Sequence, residues 1–193
     1  MGPPGRCEMA ILFQIATKAD IAGVLKLRLA VDADQARRFG VDRWSTTINE
    51  KSVARGLKSS HVLVARQHGR IVGALRMETR KPWAIDLRYF TPVQRAVYLH
   101  DVNVEPGRQR SGIGRKLIAR AMAVARAWPV DAIRVDAYDG PSGGGPFYKK
   151  CGFTEVGRTV YRGVPLVYCE LVFPDKSLRV PCRKRPRLTS RKR

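Results

Sequence analysis

The segment YLHDVNVEPGRQRSGIGRKL, residues 98–117, constrains the fold of this chain more than any other. Its first part, 98–104, has the composition of a β-strand, and the EPG turn that follows predicts its end. Gly112 and Gly114 then open a stretch with an apolar stripe at helical spacing, which Pro129 ends. The segment therefore predicts a strand, a glycine-rich loop and a long helix in direct succession.

This arrangement favours an anion site at the start of the helix. Glycine lets the backbone approach a ligand closely, and the amides of a first helical turn are free donors at the positive end of the helix dipole. Basic side chains surround the loop: Arg108, Arg110, Arg115 and Lys116. A pyrophosphate is the predicted ligand, and an ordinary helix capped by glycines is the alternative.

Two well-known phosphate loops do not fit these residues. A Walker A motif requires Lys after its last glycine, and Gly114 is followed by Arg115. A dinucleotide fingerprint requires a third glycine where Leu117 stands. The loop therefore belongs to another class of phosphate site.

The remaining patterns predict a mixed α/β (α+β) fold, a single sheet with helices on its faces. His68-Gly69 and Arg162-Gly163 are hairpin turn signals. Thr47 and Glu50 have the spacing of a capping box that begins a second helix ending near Lys58. The predicted order is β, α, α, β, β, β, α, β, α, β, β, with strands at 11–16, 61–67, 70–78, 98–104, 132–138 and two within 156–173, and helices at 18–32, 47–58, 112–127 and within 141–153.

Length and composition exclude several classes of protein. A chain of 193 residues suits one domain with a real core, and 44% apolar residues are too many for a disordered protein. No run approaches the roughly 18 apolar residues of a membrane span, and the N-terminus lacks the apolar core of a signal peptide. Four unpaired cysteines and three scattered histidines predict a cytoplasmic protein with reduced thiols and no metal.

The net charge of +21 is unevenly distributed. Nine Lys and Arg residues and no acid lie between Lys176 and Arg193, and the rest of the chain keeps +12 from 28 basic and 16 acidic residues. Such a charge attracts anions, including phosphate, nucleic acid and acidic lipid surfaces. The last segment predicts either a phosphate-binding arm with weak nucleic-acid contact or, the favoured alternative, a solvated disordered extension.

Two motifs resemble one family. QRSGIG (109–114) is similar to the Gln/Arg-x-x-Gly-x-Gly/Ala motif of the GNAT N-acetyltransferases, and it follows a strand ending in VNVEP as in that family. PFYKKCGF (146–153) resembles the family's later FY-x-x-x-GF segment. The resemblance spans 11–173, which implies a flexible N-terminus at 1–10, an acetyltransferase domain at 11–173 and a basic tail at 174–193.

The resemblance implies a GNAT-type, mostly antiparallel sheet, acetyl-CoA as the donor and direct transfer of its acetyl group to an amine. Main-chain groups of Val102 and Val104 would pair with the pantetheine arm as an added strand would. The loop would hold the pyrophosphate, with the cofactor-binding residues Gln109, Arg110, Ser111, Gly112, Ile113, Gly114, Arg115 and Lys116. No metal takes part.

The same resemblance implies that Tyr148 is the general acid that protonates the departing thiolate. A core aromatic beside Phe147 and Phe153 is the alternative. His100 and Asp101 are the candidate bases, and we expect only one to face the site because strand neighbours point to opposite faces. Water is the third candidate. An acyl-enzyme on Cys151 is disfavoured, since no acid or histidine neighbours this residue in the sequence.

The acceptor is predicted as an amine of a small molecule or a peptide. Trp83, Tyr89 and Phe90 line its pocket or belong to the core, and the acids available to attract the amine are Asp34, Asp42 and Asp86. The basic chain disfavours polyamines. The alternative function is a catalytically silent CoA-binding regulator, or a nucleic-acid binder that uses its tail; no membrane partner is expected, and a homodimer stays open.

Overall fold

A computed structural model describes residues 10–40 and 48–174. The first nine residues, the segment 41–47 with Asp42 and Thr47, and the tail from 175 onward lie outside the described residues. The predicted flexible N-terminus and the predicted basic arm therefore fall almost entirely beyond them.

Within the described residues, seven strands and four helices follow one another in the predicted order. Single 3₁₀ turns occur at Lys18–Asp20, Leu87–Tyr89 and Pro106–Arg108. The elements are β1 Leu12–Ile15, α1 Ile21–Phe39, α2 Glu50–Ser59, β2 His61–Gln67, β3 Arg70–Glu78, β4 Ala96–Val104, α3 Ile113–Ala127, β5 Ala132–Tyr138, α4 Gly145–Lys150, β6 Thr154–Tyr161 and β7 Val164–Val172.

The strands form one sheet in the order β1-β2-β3-β4-β5-β7-β6. Every neighbouring pair is antiparallel except β4 and β5, which run parallel. This parallel pairing covers three positions and ends at Tyr98 opposite Arg134, although β4 continues to Val104 and β5 to Tyr138. The two strands therefore part, and a wedge opens between them in the middle of the sheet.

Both predicted hairpin turns are confirmed. His68 and Gly69 have φ values of 50° and 73°, and Arg162 and Gly163 have 51° and 80°. Two successive residues in this region define the type I′ turn, whose twist matches that of the strands it joins. Glycine at the second position adopts the conformation without steric cost.

The first two helices differ from the prediction in their bounds. Helix α1 continues to Phe39, beyond the predicted end at 32, because its buried stripe extends to Asp34, and Gly40 ends it with a φ of 85°. The predicted capping box is wrong by two residues, since Asn49 caps α2. The Asn49 side chain accepts from Ser52 N at 2.9 Å, and Ser52 Oγ accepts from Asn49 N at 3.1 Å.

Helices and loops cover the two faces of the sheet unequally. On one face, α3 and α4 pack over a continuous core that includes Leu75, Leu99 and Leu117. The other face carries two separate apolar clusters, one under α1 and α2 around Val24, and one under the 81–95 excursion around Tyr168. The gap between these clusters exposes the middle of the sheet, where the wedge also opens.

We expect Leu117→Ala to lower the free energy of unfolding by about 2–5 kcal/mol, the usual cost of a cavity in a closed core. Leu117 is fully buried between α3 and the sheet, and its methyl group lies against Gly73. Denaturant unfolding measures the change. Leu29→Ala, at an exposed leucine of α1, is the control and should change the value by less than about 0.5 kcal/mol. Equal losses in both variants would contradict the packing described here.

Candidate active site

A cavity of about 1230 Å³ lies on the face of the sheet that carries α1 and α2, in the gap between the two apolar clusters of that face. Helices α1 and α2 form one wall, and the β6–β7 turn with Tyr161 and Arg162 contributes to the other. Its floor consists of polar side chains of the three central strands, namely Arg76 and Glu78 on β3, His100 and Asp101 on β4, and Asp136 on β5. A cavity of this size exceeds what one small molecule requires.

A β-bulge in β4 decides which side chains reach this floor. His100 lies opposite Arg76, and Asn103 lies opposite Ala74, so Asp101 and Val102 together oppose Leu75. Asp101 has a φ of 50°, in the left-handed region. The alternation of the strand therefore breaks at this point.

The expectation that only one of His100 and Asp101 faces the site is wrong for this reason. Both residues line the cavity, whereas the side chains of Val102 and Val104 pack on the α3 core. The extra residue of the bulge turns Asp101 onto the face that His100 already occupies.

A charged network ties the floor of the cavity together. Asp101 pairs with Arg28 of α1 at 3.1 Å and with Arg76 at 3.1 Å. Arg76 also binds Glu78, whose second carboxylate oxygen lies 3.6 Å from His100 Nε2. Two of the three floor acids therefore already have cationic partners.

His100 is a weak base in this setting. Burial and, next, the positive charge of Arg76 lower its pKa to about 4. Its Nε2 atom is buried and has no hydrogen-bond partner among the described residues. The imidazole is therefore neutral at physiological pH and holds a proton poorly.

Asp136 is the floor acid without a cationic partner among the described residues. It lies on β5 two residues beyond the last β4–β5 pair, is half-buried and lines the cavity. Burial raises the pKa of its carboxyl group. Sequence reasoning missed this residue, although the alternation in 132–138 places Asp136 between the apolar Val135 and Ala137 and so on the opposite face of the strand.

Tyr148 is a core aromatic that also reaches the cavity, and its role as general acid stays a prediction. Its ring is buried in the α3–α4 core, edge-on to Phe147 at 5.3 Å and Phe153 at 5.7 Å between centroids, and the residue also lines the cavity. Among the residues described, its hydroxyl has no hydrogen-bond partner. Burial, and then the charge of Asp136, raise its pKa, so the phenol keeps its proton at neutral pH.

The glycine loop lies at the end of β4 and does not line the cavity. The first backbone hydrogen bond of α3 runs from Lys116 N to Gly112 O at 3.0 Å, so the amides of Ile113 to Arg115 have no intrahelical acceptor. Gly112 adopts a φ of 85° and Arg110 a φ of 62°. The two left-handed residues turn the chain sharply into the helix.

The Cα of Gly114 is closely packed, and its predicted part in binding the cofactor stays a prediction. A Cβ atom at this position would lie 3.2 Å from the Phe147 ring and 3.6 Å from Val104. Hydrogen at this position therefore lets the start of α3, the end of β4 and α4 meet. Through Phe147 the loop is tied to the helix that carries Tyr148.

The side chains of the loop divide into two groups. Ile113 is buried in the core and offers only its main chain, and Gln109 Nε2 donates to Val104 O at 3.4 Å. The other four polar or basic side chains of the predicted set are exposed: Arg110, Ser111, Arg115 and Lys116.

The main chain of β4 offers hydrogen-bonding groups to the wedge. Glu105 N donates to Val72 O on β3 at 2.9 Å. Because alternate residues of an antiparallel strand direct their main-chain groups to the same neighbour, those of Val104 point away from β3. The Val104 carbonyl accepts from Gln109 Nε2 at 3.4 Å, and Val102 lies in the bulge, where this alternation does not apply. On the side away from β3, β5 has already parted from β4, and an extended ligand would fit between them.

The predicted acceptor residues within the described part of the chain do not line this cavity, and Asp42 lies outside that part. The Asp34 carboxylate is bound by Arg37 and Arg38, and Asp86 by Arg88. Of the aromatic residues, Phe90 is core, Tyr89 is packed edge-on to Tyr168, and Trp83 is 80% exposed beside a separate cavity of about 440 Å³. Their charges and rings therefore stabilise the excursion and α1.

Cys151 is half-buried, and burial raises the pKa of its thiol. The thiol is therefore protonated at neutral pH, which argues against a covalent intermediate on this residue. Within 10–40 and 48–174, no group of three His, Cys, Asp or Glu side chains is arranged to hold a metal, and no helix has the length and apolarity to cross a membrane.

Comparison with known proteins identifies the family. The family model for the acetyltransferase (GNAT) domain matches residues 58–155, half of the chain, and this range includes the wedge, the glycine loop and Tyr148. The chain belongs to the GNAT acetyltransferase family. A comparison with curated proteins gives no significant match.

Solved structures share the fold over most of this chain. The ribosomal-protein-alanine N-acetyltransferase of Brucella melitensis is 22% identical and has a TM-score of 0.64, covering 84% of this chain and 99% of its own. The yncA protein of Salmonella typhimurium, solved with its cofactor acetyl-CoA, is 22% identical with a TM-score of 0.61, covering 86% and 99%. The PaiA N-acetyltransferase of Thermoplasma acidophilum, in complex with coenzyme A, is 15% identical with a TM-score of 0.65, covering 86% and 100%.

We expect Arg76→Leu to raise the pKa of His100 from about 4 toward the ordinary histidine value, because it removes the positive charge beside the imidazole. An NMR titration of the His100 ring signals measures the shift. Arg70→Leu, at an exposed arginine of the same strand that pairs with Glu105, is the control and should leave this titration unchanged. An unchanged His100 titration in Arg76→Leu would contradict the arrangement of the floor.

Proposed function

We propose that this protein transfers an acetyl group from acetyl-CoA directly to an amine of a small molecule or a peptide, as an N-acyltransferase. The observation that carries the proposal is the wedge between β4 and β5. Main-chain groups of β4 lie along one side of it, and Tyr148 and Asp136 lie at the end that opens into the cavity. Family membership supports the same activity.

The wedge and the loop fit coenzyme A in two ways. The main-chain groups of Val102 and Val104 would hydrogen-bond an extended pantetheine arm in place of the missing strand. The amides of 110–115 would bind the pyrophosphate, since they precede the first bond of α3 and exposed cations surround them. Acetyl-CoA, when bound, supplies the activated acetyl group.

Tyr148 would donate the proton that the departing thiolate needs. Its hydroxyl has no other hydrogen-bond partner in the described part of the chain, and its raised pKa keeps it protonated at neutral pH. A protonated, buried donor at the inner end of the wedge is the arrangement that general acid catalysis requires. Phe147 and Phe153 hold the ring in place.

Asp136 is the base that the charges of the floor favour over His100 and Asp101. Asp101 is held by two arginines, and His100 binds a proton weakly because its pKa is about 4. Asp136 has no cation beside it among the described residues, and its raised pKa makes it a better proton acceptor than an ordinary carboxylate. It would attract the ammonium group and accept its proton, directly or through water.

The alternative of a catalytically silent regulator is disfavoured, because such a protein needs neither a proton donor such as Tyr148 nor a base such as Asp136. The cytoplasmic location, a homodimer and nucleic-acid contact by the tail stay predictions.

We expect Tyr148→Phe to lower kcat by well over tenfold, because the thiolate would depart without its proton donor. The Kd for CoA, measured by calorimetry, should change by less than about twofold, since the ring and its packing remain. Tyr138→Phe is the matched control, at another tyrosine that lines the cavity. Full turnover in Tyr148→Phe, or equal losses in both variants, would refute the assigned role.

We expect Asp136→Asn to lower kcat/KM by about 10²-fold and to abolish the acidic limb of the pH–rate profile. In the wild type this limb should lie above the ordinary carboxyl range, because burial raises the pKa of Asp136 and activity requires its ionised form. His100→Gln is the control and should keep the limb. A wild-type profile in Asp136→Asn would leave water as the base.

The same variant has a stability readout that does not depend on turnover. Since the folded-state pKa of Asp136 is raised, its ionisation destabilises the wild type once the pH rises above the ordinary carboxyl value. Asp136→Asn should therefore raise Tm at pH 8, and this gain should shrink as the pH falls. An unchanged Tm at pH 8 would contradict the burial of an unpaired carboxylate.

A further inference from the structure

The charges of the cavity are arranged in two layers. On the floor, the carboxylates of Asp101 and Glu78 and the guanidinium groups of Arg28 and Arg76 neutralise one another. The carboxylate of Asp136 stays without a cationic partner, so the deep end of the cavity attracts a cation.

The mouth of the cavity has the opposite character, because the exposed charged residues of its described lining are arginines, and Asp32 of α1, the remaining acid of that lining, is half-buried. Three exposed arginines line it, each from a different element: Arg55 on α2, Arg80 after β3, and Arg162 in the β6–β7 turn. We call these three residues the arginine rim. Among the residues described, none of the three forms an ion pair, whereas Arg28 and Arg76 below them are both paired.

Two of the rim residues stand next to groups of the cavity. Arg162 occupies the left-handed first position of its turn, and its guanidinium lies 5.4 Å from the centroid of the Tyr161 ring, another cavity residue. Arg55 precedes Gly56, whose missing side chain leaves room for Arg76 Cδ, 3.4 Å from where a Cβ would lie. The backbone at Arg55 therefore lies close to the paired arginine of the floor.

We infer that the acceptor is an amine that also carries an anionic group, a carboxylate in the first instance. This inference rests on the proposed function, because the amine would lie at Asp136 and Tyr148 while its anionic end binds the rim. Guanidinium groups bind carboxylates with charge-assisted hydrogen bonds. A second ammonium group at the mouth would meet like charges instead, so diamines and polyamines are excluded by repulsion.

The rim acts on substrate affinity and not on the chemical step. Its residues are exposed, whereas Tyr148 is buried and Asp136 half-buried, so we expect the rim to hold substrate and transition state equally. Loss of a rim charge should therefore raise KM and leave kcat unchanged. Because the rim is exposed to solvent, its contribution should fall as salt concentration rises.

The test compares three series of primary amines of equal chain length, from three to eight carbons: ω-aminoalkanoates, amino alcohols and diamines. Acetyl transfer by the full chain is followed by CoA release, and binding of each probe to the CoA-loaded protein is followed by calorimetry. We expect kcat/KM for the best aminoalkanoate to exceed that of its amino alcohol by about tenfold and that of its diamine by more. The best chain length then reports the distance from Asp136 to the rim.

The variants Arg80→Glu and Arg162→Glu should each raise KM for aminoalkanoates about fivefold or more and improve the diamines, with kcat unchanged. Arg120→Glu makes the same change of charge on α3, outside the cavity, and is the matched control. Amino alcohols or diamines preferred by the wild type would overturn the inference and leave the proposed function intact. Rim variants with the same KM values as Arg120→Glu would also overturn the inference and leave the proposed function intact.

Binding separates the remaining outcomes. Aminoalkanoates that bind the wild type in a rim-dependent way without being acetylated would support the inference and contradict the proposed function. If aminoalkanoates neither bind nor react while CoA binds, the inference is wrong. A phosphonate series of the same chain lengths shows whether the rim prefers the doubly charged anion, and a preference for it would replace carboxylate by phosphonate or phosphate as the acceptor's anionic group.

Discussion

The brevity of the parallel pairing between β4 and β5 determines the rest of this structure. Three paired positions hold the two strands together, and past Tyr98 each strand continues alone. Main-chain groups that a longer pairing would have used face an open wedge instead, and buried polar groups without partners are costly. Because the strands separate, main-chain groups of β4 are left to form hydrogen bonds with a ligand. It also opens the centre of the sheet to the helix that carries Tyr148.

The bulge at Asp101 adds a second constraint to the same strand. It places two neighbouring polar residues on one face, where Arg28 and Arg76 balance the charge of Asp101. The strain of a left-handed aspartate is held by these two ion pairs, and such strain commonly marks functional positions. Asp136, on the facing strand, receives no such balance. The floor of the cavity is therefore electrostatically asymmetric across the wedge, with a neutralised side on β4 and a reactive side on β5.

Sequence patterns predicted the order of all eleven elements and both tight turns, because alternation, helical spacing and turn residues act over short distances. They predicted Tyr148 and the glycine loop through two local motifs. They failed at Asp101, because a bulge depends on the register of two strands and not on the residues of one. They also failed at Glu78 and Asp136. Whether an acid of the cavity floor forms an ion pair depends on residues that are distant in the sequence. The spacing of residues along the chain could not show that Arg28 and Arg76 pair with Asp101.

The parted strands also divide the sheet into two blocks, β1–β4 on one side and β5–β7 on the other, joined along a seam of three residue pairs. A donor bound along the wedge would add hydrogen bonds to the main chain of β4, and its phosphates would bind at the start of α3. Ligand binding and resistance to unfolding would then be linked, since a ligand that binds only the native state stabilises it by an amount that grows with the logarithm of its concentration above Kd. The donor would in this way strengthen the sheet at the place where its own strands pair least.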